Sequence, residues 1–190
     1  MKLLKQLAVF SCLLSSYSLA QTHMHGKGTL FIAQDGNTWQ LQFTLPASDV
    51  FGFEHQPETK KQQEYVHMQS KRLKQLDKVL SLPNDCALIT HEVVIPNEFD
   101  IKHFDKHSND DKPSHEHEHE HEHEKHTSDH ADTHADIQVT TTLDCNTAIS
   151  VLNFAIFESF NSLETVDVLW TLSSGQGQSE ISASNPKVKL

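Results

Sequence analysis

Apolar and polar residues along this chain fall into short runs whose period changes once. Thr29 to Ala33 and Thr38 to Leu45 each read as a strand, and Asp35-Gly36-Asn37 between them is hairpin-turn chemistry. Pro46 ends the second run, and Gly52-Phe53-Glu54-His55-Gln56-Pro57 reads as a compact loop. From Glu58 to Leu82 the period becomes helical. Tyr65, Met68, Leu73, Leu76, Val79 and Leu80 form a stripe, with Lys60, Lys61, Lys71, Lys74 and Lys78 opposite. This predicts one long helix, stopped at Pro83-Asn84-Asp85. Next to the stripe, His67 reads as a surface residue. Strand patterns return at Ala87 to Ile95, Ile137 to Leu143, Val151 to Phe157 and Val166 to Leu172, with Trp170 as an expected core anchor. Gly175-Gln176-Gly177 reads as a turn and Gln178 to Ser182 as a last short strand. Five or more strands and one good helix predict an α+β fold, a single compact domain of antiparallel strands with one main helix.

Residues 97–136 break the pattern. Beyond Phe99, Ile101 and Phe104 this stretch holds almost nothing apolar. It cannot bury enough surface to offset the entropy of ordering, so a disordered insertion between two strands is expected there. Residues 1–20 have the form of a secretory signal peptide: Lys2 and Lys5, an apolar run from Leu7 to Leu14, and Ser18-Leu19-Ala20 as the cleavage signal. The run is too short to span a bilayer, and no later segment is apolar enough for stable membrane insertion. Residues 21–190 then form the exported domain, and the expected location is the periplasm.

Composition sharpens this reading. The formal net charge is −11, and residues 21–190 alone carry −13 once Lys2 and Lys5 are removed. No basic patch is visible, which argues against nucleic acid as a partner and favours cations. Removal of Cys12 with the signal leaves Cys86 and Cys145. An even count in an exported chain suggests a disulfide, expected to tie the two roots of the insertion. The rival reading makes both thiols zinc ligands, though Cys-x-x-Cys spacing is absent.

Histidine carries the chemistry. Ten of the fifteen histidines lie between His103 and His134. His115, His117, His119, His121 and His123 alternate with Glu116, Glu118, Glu120, Glu122 and Glu124. In an extended chain all five imidazoles line one edge, about 6–7 Å apart at Cα. Neutral imidazole binds zinc, copper and nickel, and glutamate adds oxygen ligands. His103 and His107, and then His126, His130 and His134, are spaced by four, which places them on one face if metal induces a helical turn. Such a tract offers high capacity and modest affinity, suited to catching and passing on an ion. At the start of the exported chain, Gln21-Thr22-His23 is a chelate pattern for copper or nickel if the amine is free. His23 and His25 alternatively join Glu54 and His55 across the fold, while His55 also reads as a plain turn residue. No nucleophile motif accompanies Glu54 and His55, so no enzyme is expected.

Several segments together carry a resemblance. They are His23-Met24-His25-Gly26-Lys27-Gly28, Leu45-Pro46-Ala47-Ser48-Asp49, Gly52-Phe53-Glu54-His55-Gln56-Pro57, the histidine-rich insertion between two cysteines, and Phe157-Glu158-Ser159-Phe160. Across its exported length the chain resembles the zinc-regulated periplasmic protein family of Gram-negative bacteria, the ZrgA type. The resemblance implies a zinc-binding component of zinc acquisition, working beside an inner-membrane importer. Its partner would be a transporter component or a zinc solute-binding protein. The resemblance also marks His23, His25 and His55 for testing. The competing expectation is a sponge that protects against excess zinc, copper or nickel.

Overall fold

A computed structural model describes residues 24–99 and 135–190. The signal peptide, His23 and the whole histidine-rich tract from His103 to His134 lie outside the described residues.

The protein is sheet-rich, mainly β with one main helix. Strands β1 (Lys27–Asp35) and β2 (Thr38–Pro46) form the expected hairpin, and Gly36 takes φ 59° in its turn. Their partners are β4 (Cys86–Val94), β5 (Asp136–Cys145), β7 (Thr165–Leu172) and β8 (Gly175–Ser182), in the order β4-β5-β2-β1-β7-β8. All neighbours are antiparallel except β1 and β7, which run parallel. This departs from the expected all-antiparallel arrangement. The long return from β2 through the helix and both halves of the β4–β5 pair supplies the crossover a parallel pair needs. A second sheet has the order β3-β6-β9, from β3 (Leu80–Ser81), β6 (Val151–Phe154) and β9 (Lys187–Lys189).

Alternation explains the layers. In β2 the residues Trp39, Leu41, Phe43 and Leu45 are buried and Thr38 and Gln40 are exposed. The buried face joins Leu30, Ile32, Val139, Val166 and Val168 in one core. Phe43 meets Phe154 edge-to-face, with ring centroids 5.7 Å apart, and so locks the small sheet onto the large one. Trp39 is 1% exposed, whereas Trp170 is only partly buried, over Gly177. A Cβ on Gly177 would lie 2.4 Å from the Trp170 ring, so this glycine makes room for an indole. The expected turn at 175–177 is therefore strand, and the chain reverses just before it.

The helical expectation needs two corrections. Helix α2 spans Lys60–Leu73, opened by a Thr59–Gln62 capping box, and stops nine residues before the predicted end. Leu76, Val79 and Leu80 keep a helical rhythm, but they serve a 3₁₀ turn (Leu76–Lys78) and then β3, which pairs with β6. The buried face of α2 is Val66, Gln69 and Leu73, while Tyr65 and Met68 are exposed. Val151 to Phe157, read as a single strand, divides into β6, central in the small sheet, and α3 (Ile156–Ser159).

Cys86 and Cys145 are joined and sit directly opposite one another in the β4–β5 register. Both are committed to the bridge, so neither thiol is a zinc ligand. The bridge does not tie the roots of the insertion. The insertion joins the other ends of these two strands, and eight residue steps of β4, about 27 Å, separate it from Cys86.

Candidate functional site

Helix α1 (Ala47–Phe51) follows β2 and ends on Gly52, which takes φ 81° and donates its N–H to the Ser48 carbonyl at 2.8 Å. This left-handed residue turns the chain so that Phe53, Glu54 and His55 follow as a surface loop. Phe51 and Phe53 both pack on Phe99, with centroids 4.9 and 6.0 Å apart.

Asp49 organises the loop. Its two carboxylate oxygens both accept the Gly26 N–H, at 2.9 Å each. The Gly26 carbonyl accepts from Glu164 N–H at 2.7 Å and Thr165 N–H at 2.9 Å. Gly26 has φ 80°, and an added Cβ would meet Glu164 Cγ at 3.1 Å, so a side chain there is opposed twice. Asp49 is 6% exposed, and burial pushes its carboxyl above the ordinary range. The Gly26 N–H and His25 oppose that shift, while Glu164 and Glu54 reinforce it.

This anchoring sets His25 against α1 and its loop. His25 Nδ1 lies 2.8 Å from Ser48 Oγ and 3.8 Å from Glu54 Oε1. His55 stacks on Phe53, centroids 5.0 Å apart, and its Nδ1 lies 2.8 Å from the Gln56 carbonyl. A carbonyl only accepts, so Nδ1 donates in this arrangement, and the lone pair of the neutral ring is on Nε2. Tying one ring nitrogen to oxygen is how metal-binding imidazoles are oriented. His91 is different. Its Nε2 donates to the Leu73 carbonyl at 2.8 Å and its Nδ1 meets Thr141 Oγ1 at 2.8 Å, so both nitrogens hold the fold together. His67 is exposed on α2, as expected.

The structure thus brings His25 and Glu54 together, and His55 follows Glu54 in the loop. Among the described residues no group of three or more His, Cys, Asp or Glu side chains is arranged to hold a metal ion. The donors present, two imidazoles and a carboxylate, suit zinc. Ser48, Asp49 and Glu164 had not been singled out as site residues. Their signal was weak, because the Ala47-Ser48-Asp49 segment reads as a motif without showing what it holds.

Residues on the two sides of the histidine-rich insertion meet this part of the fold, Phe99 at α1 and its loop and Ala135 at the start of α1. Phe99, 1% exposed, lies on Phe51 and Phe53 at the exit. At the return, the Ala135 carbonyl accepts the Ala47 N–H at 2.8 Å, and Asp136 pairs with Pro46.

Residues 22–190 match the model of the ZrgA family of zinc uptake proteins, and the chain belongs to that family. No curated protein matches the chain. Among the described residues no helix is long and apolar enough to cross a membrane.

Proposed function

We propose that this protein is a periplasmic zinc carrier that collects the ion on its histidine-rich insertion and passes it to an inner-membrane importer. Membership of a zinc uptake family supports the acquisition role. One observation supports the division of labour. The two ends of the insertion, Phe99 and Ala135, rest on the α1 loop that bears Glu54 and His55 and receives His25. In this reading an ion caught by His103, His107, His115, His117, His119, His121, His123, His126, His130 or His134 is passed to a second set of donors. His25, Glu54 and His55 act as that staging point, with His23 joining from the adjacent chain start. The transfer partner is a transporter component or a zinc solute-binding protein.

The protein's role in this reading is binding, which membership of a zinc uptake family supports. A groove of about 580 Å³ on the open sheet face, among Phe31, Gln40, Gln42, Leu169 and Gln178, has no histidine or carboxylate in its lining. Stopped-flow transfer to a tighter acceptor tests the carrier role. Transfer faster than spontaneous dissociation supports delivery. Transfer no faster than dissociation leaves only buffering or protection against excess metal.

A further inference from the structure

Two neighbouring residues of α1 hold two neighbouring residues of the strand entry before β1. Asp49 takes the Gly26 N–H on its carboxylate oxygens, and Ser48 Oγ stands 2.8 Å from His25 Nδ1. The first contact fixes backbone and the second fixes a ring. Gly26, at φ 80°, turns the chain so that both form together. The His25 side chain is 70% exposed, so its contact with Ser48 adds little to the core and acts on the orientation of the ring. Glu54 faces the same nitrogen, with Oε1 3.8 Å from Nδ1. A hydroxyl both donates and accepts, so Ser48 alone accommodates either tautomer of His25. The carboxylate beside Nδ1 breaks the tie, because negative charge favours a proton on the nearer nitrogen. Nδ1–H then donates to Ser48 Oγ, and the lone pair of the neutral ring is on Nε2. His55 reaches the same state through the Gln56 carbonyl.

We infer that Ser48 and Glu54 are positioning residues that direct zinc to Nε2 of His25. The inference rests on the staging role proposed above for His25. Neutral imidazole binds a metal through one nitrogen and keeps its proton on the other. With Nδ1 held by Ser48 and faced by Glu54, Nε2 is the nitrogen left for the ion. Coordination draws electron density from the ring, which makes Nδ1–H a better donor and strengthens its bond to Ser48 on loading. Glu54 serves the site by holding that proton on Nδ1. Both imidazoles of the site, His25 and His55, then present the same nitrogen. Without the Ser48 oxygen an exposed ring rotates and exchanges tautomers, and each capture has to order it first. Loss of an orienting partner of this kind costs about tenfold or more in metal affinity.

The test is nitrogen NMR of the full exported chain, isotope-labelled in its histidine rings, at about pH 8, where an ordinary imidazole is neutral. Loss of signals in His25→Gln assigns His25. Without metal, His25 is expected mainly as the Nδ1–H tautomer, and added zinc should move its Nε2 signal. Ser48→Ala should mix the tautomers and weaken zinc at His25 about tenfold. Glu54→Gln should shift the tautomer ratio in the same direction. Ser48→Thr keeps the hydroxyl and should restore both properties. The denaturant midpoint of Ser48→Ala should stay near that of the parent, which separates lost positioning from lost folding. Zinc on Nδ1 overturns the inference, and so does a Ser48→Ala variant with unchanged tautomer and unchanged affinity at His25. In both cases the staging role stands. A His25 ring untouched by zinc at saturation overturns the staging role itself, and the inference with it.

Discussion

The N–H of Ala47 donates to the carbonyl of Ala135 at 2.8 Å, which joins the first residue of α1 to the residue at which the described chain resumes after the histidine-rich insertion. The residue that follows the insertion and the start of α1 are thereby neighbours, and zinc titration calorimetry can separate what insertion and loop each bind. Deletion of Ser114 to His134 is expected to abolish several weak sites and leave one tighter site. His25→Ala or His55→Ala in that background should weaken the remaining site by about tenfold or more. Loss of all binding on deletion alone would make the insertion the whole metal-binding apparatus.

Asp49 offers a prediction with a pH sign. Its folded pKa is raised, mainly by burial, so the folded state takes up this proton more readily than the unfolded chain. The cost of the buried carboxylate is absent below the ordinary carboxylate range and grows as pH rises from that range through the folded pKa. Asp49→Asn keeps one oxygen for the Gly26 N–H and removes that charge. It should equal or exceed the parent in stability at pH 7 and lose any advantage in acid. Asp49→Ala leaves the N–H without its acceptor and should cost about 1–3 kcal/mol. Denaturant midpoints at several pH values check both.

The disulfide makes stability and metal capacity separable. The bridge closes a separation of 59 residues. Chain entropy gives such a loop about 4 kcal/mol of stabilisation. A Cys86→Ala, Cys145→Ala double variant should unfold at distinctly lower denaturant. Its zinc stoichiometry should be unchanged, because the bridge stands at the far end of the ladder from the insertion. Loss of stoichiometry in the still-folded variant would contradict that geometry.

His91 should prove structural. Replacement by Ala removes the donor to the Leu73 carbonyl near the end of α2 and the contact with Thr141. A loss of about 1–2 kcal/mol is expected, with zinc affinity intact.

Zinc capacity should fall steeply as pH drops from about 7 to about 5.5, because imidazole with an ordinary pKa near ~6.5 must lose its proton to bind metal. Adjacent glutamates favour the protonated form and strengthen the effect. Stoichiometry measured by calorimetry that stays flat over this range would exclude histidine as the main ligand.

Local sequence determined much of this protein. Short apolar and β-branched runs located at least part of each strand of the large sheet, and in β2 the alternation follows from one buried face. The Asp35-Gly36-Asn37 turn set the β1–β2 hairpin, and the alternating His-Glu tract made metal binding the expectation from composition alone. Tertiary structure decided the rest. Leu76, Val79 and Leu80 extend the helical rhythm of α2, yet a partner strand at Phe154 draws the chain into β3 instead. Tyr65 and Met68 share a stripe with Leu73, yet the core meets α2 on Val66 and Gln69. The Cys86–Cys145 pairing could be suspected from a count of two, but its distance from the insertion follows only from the antiparallel direction of β4 and β5. Asp49 is one carboxylate among many until Gly26, 23 residues away, turns its N–H onto it. Periodicity records which side of an element is buried. It does not record what lies against that side, and pairings distant in the chain are set by the packing of the whole.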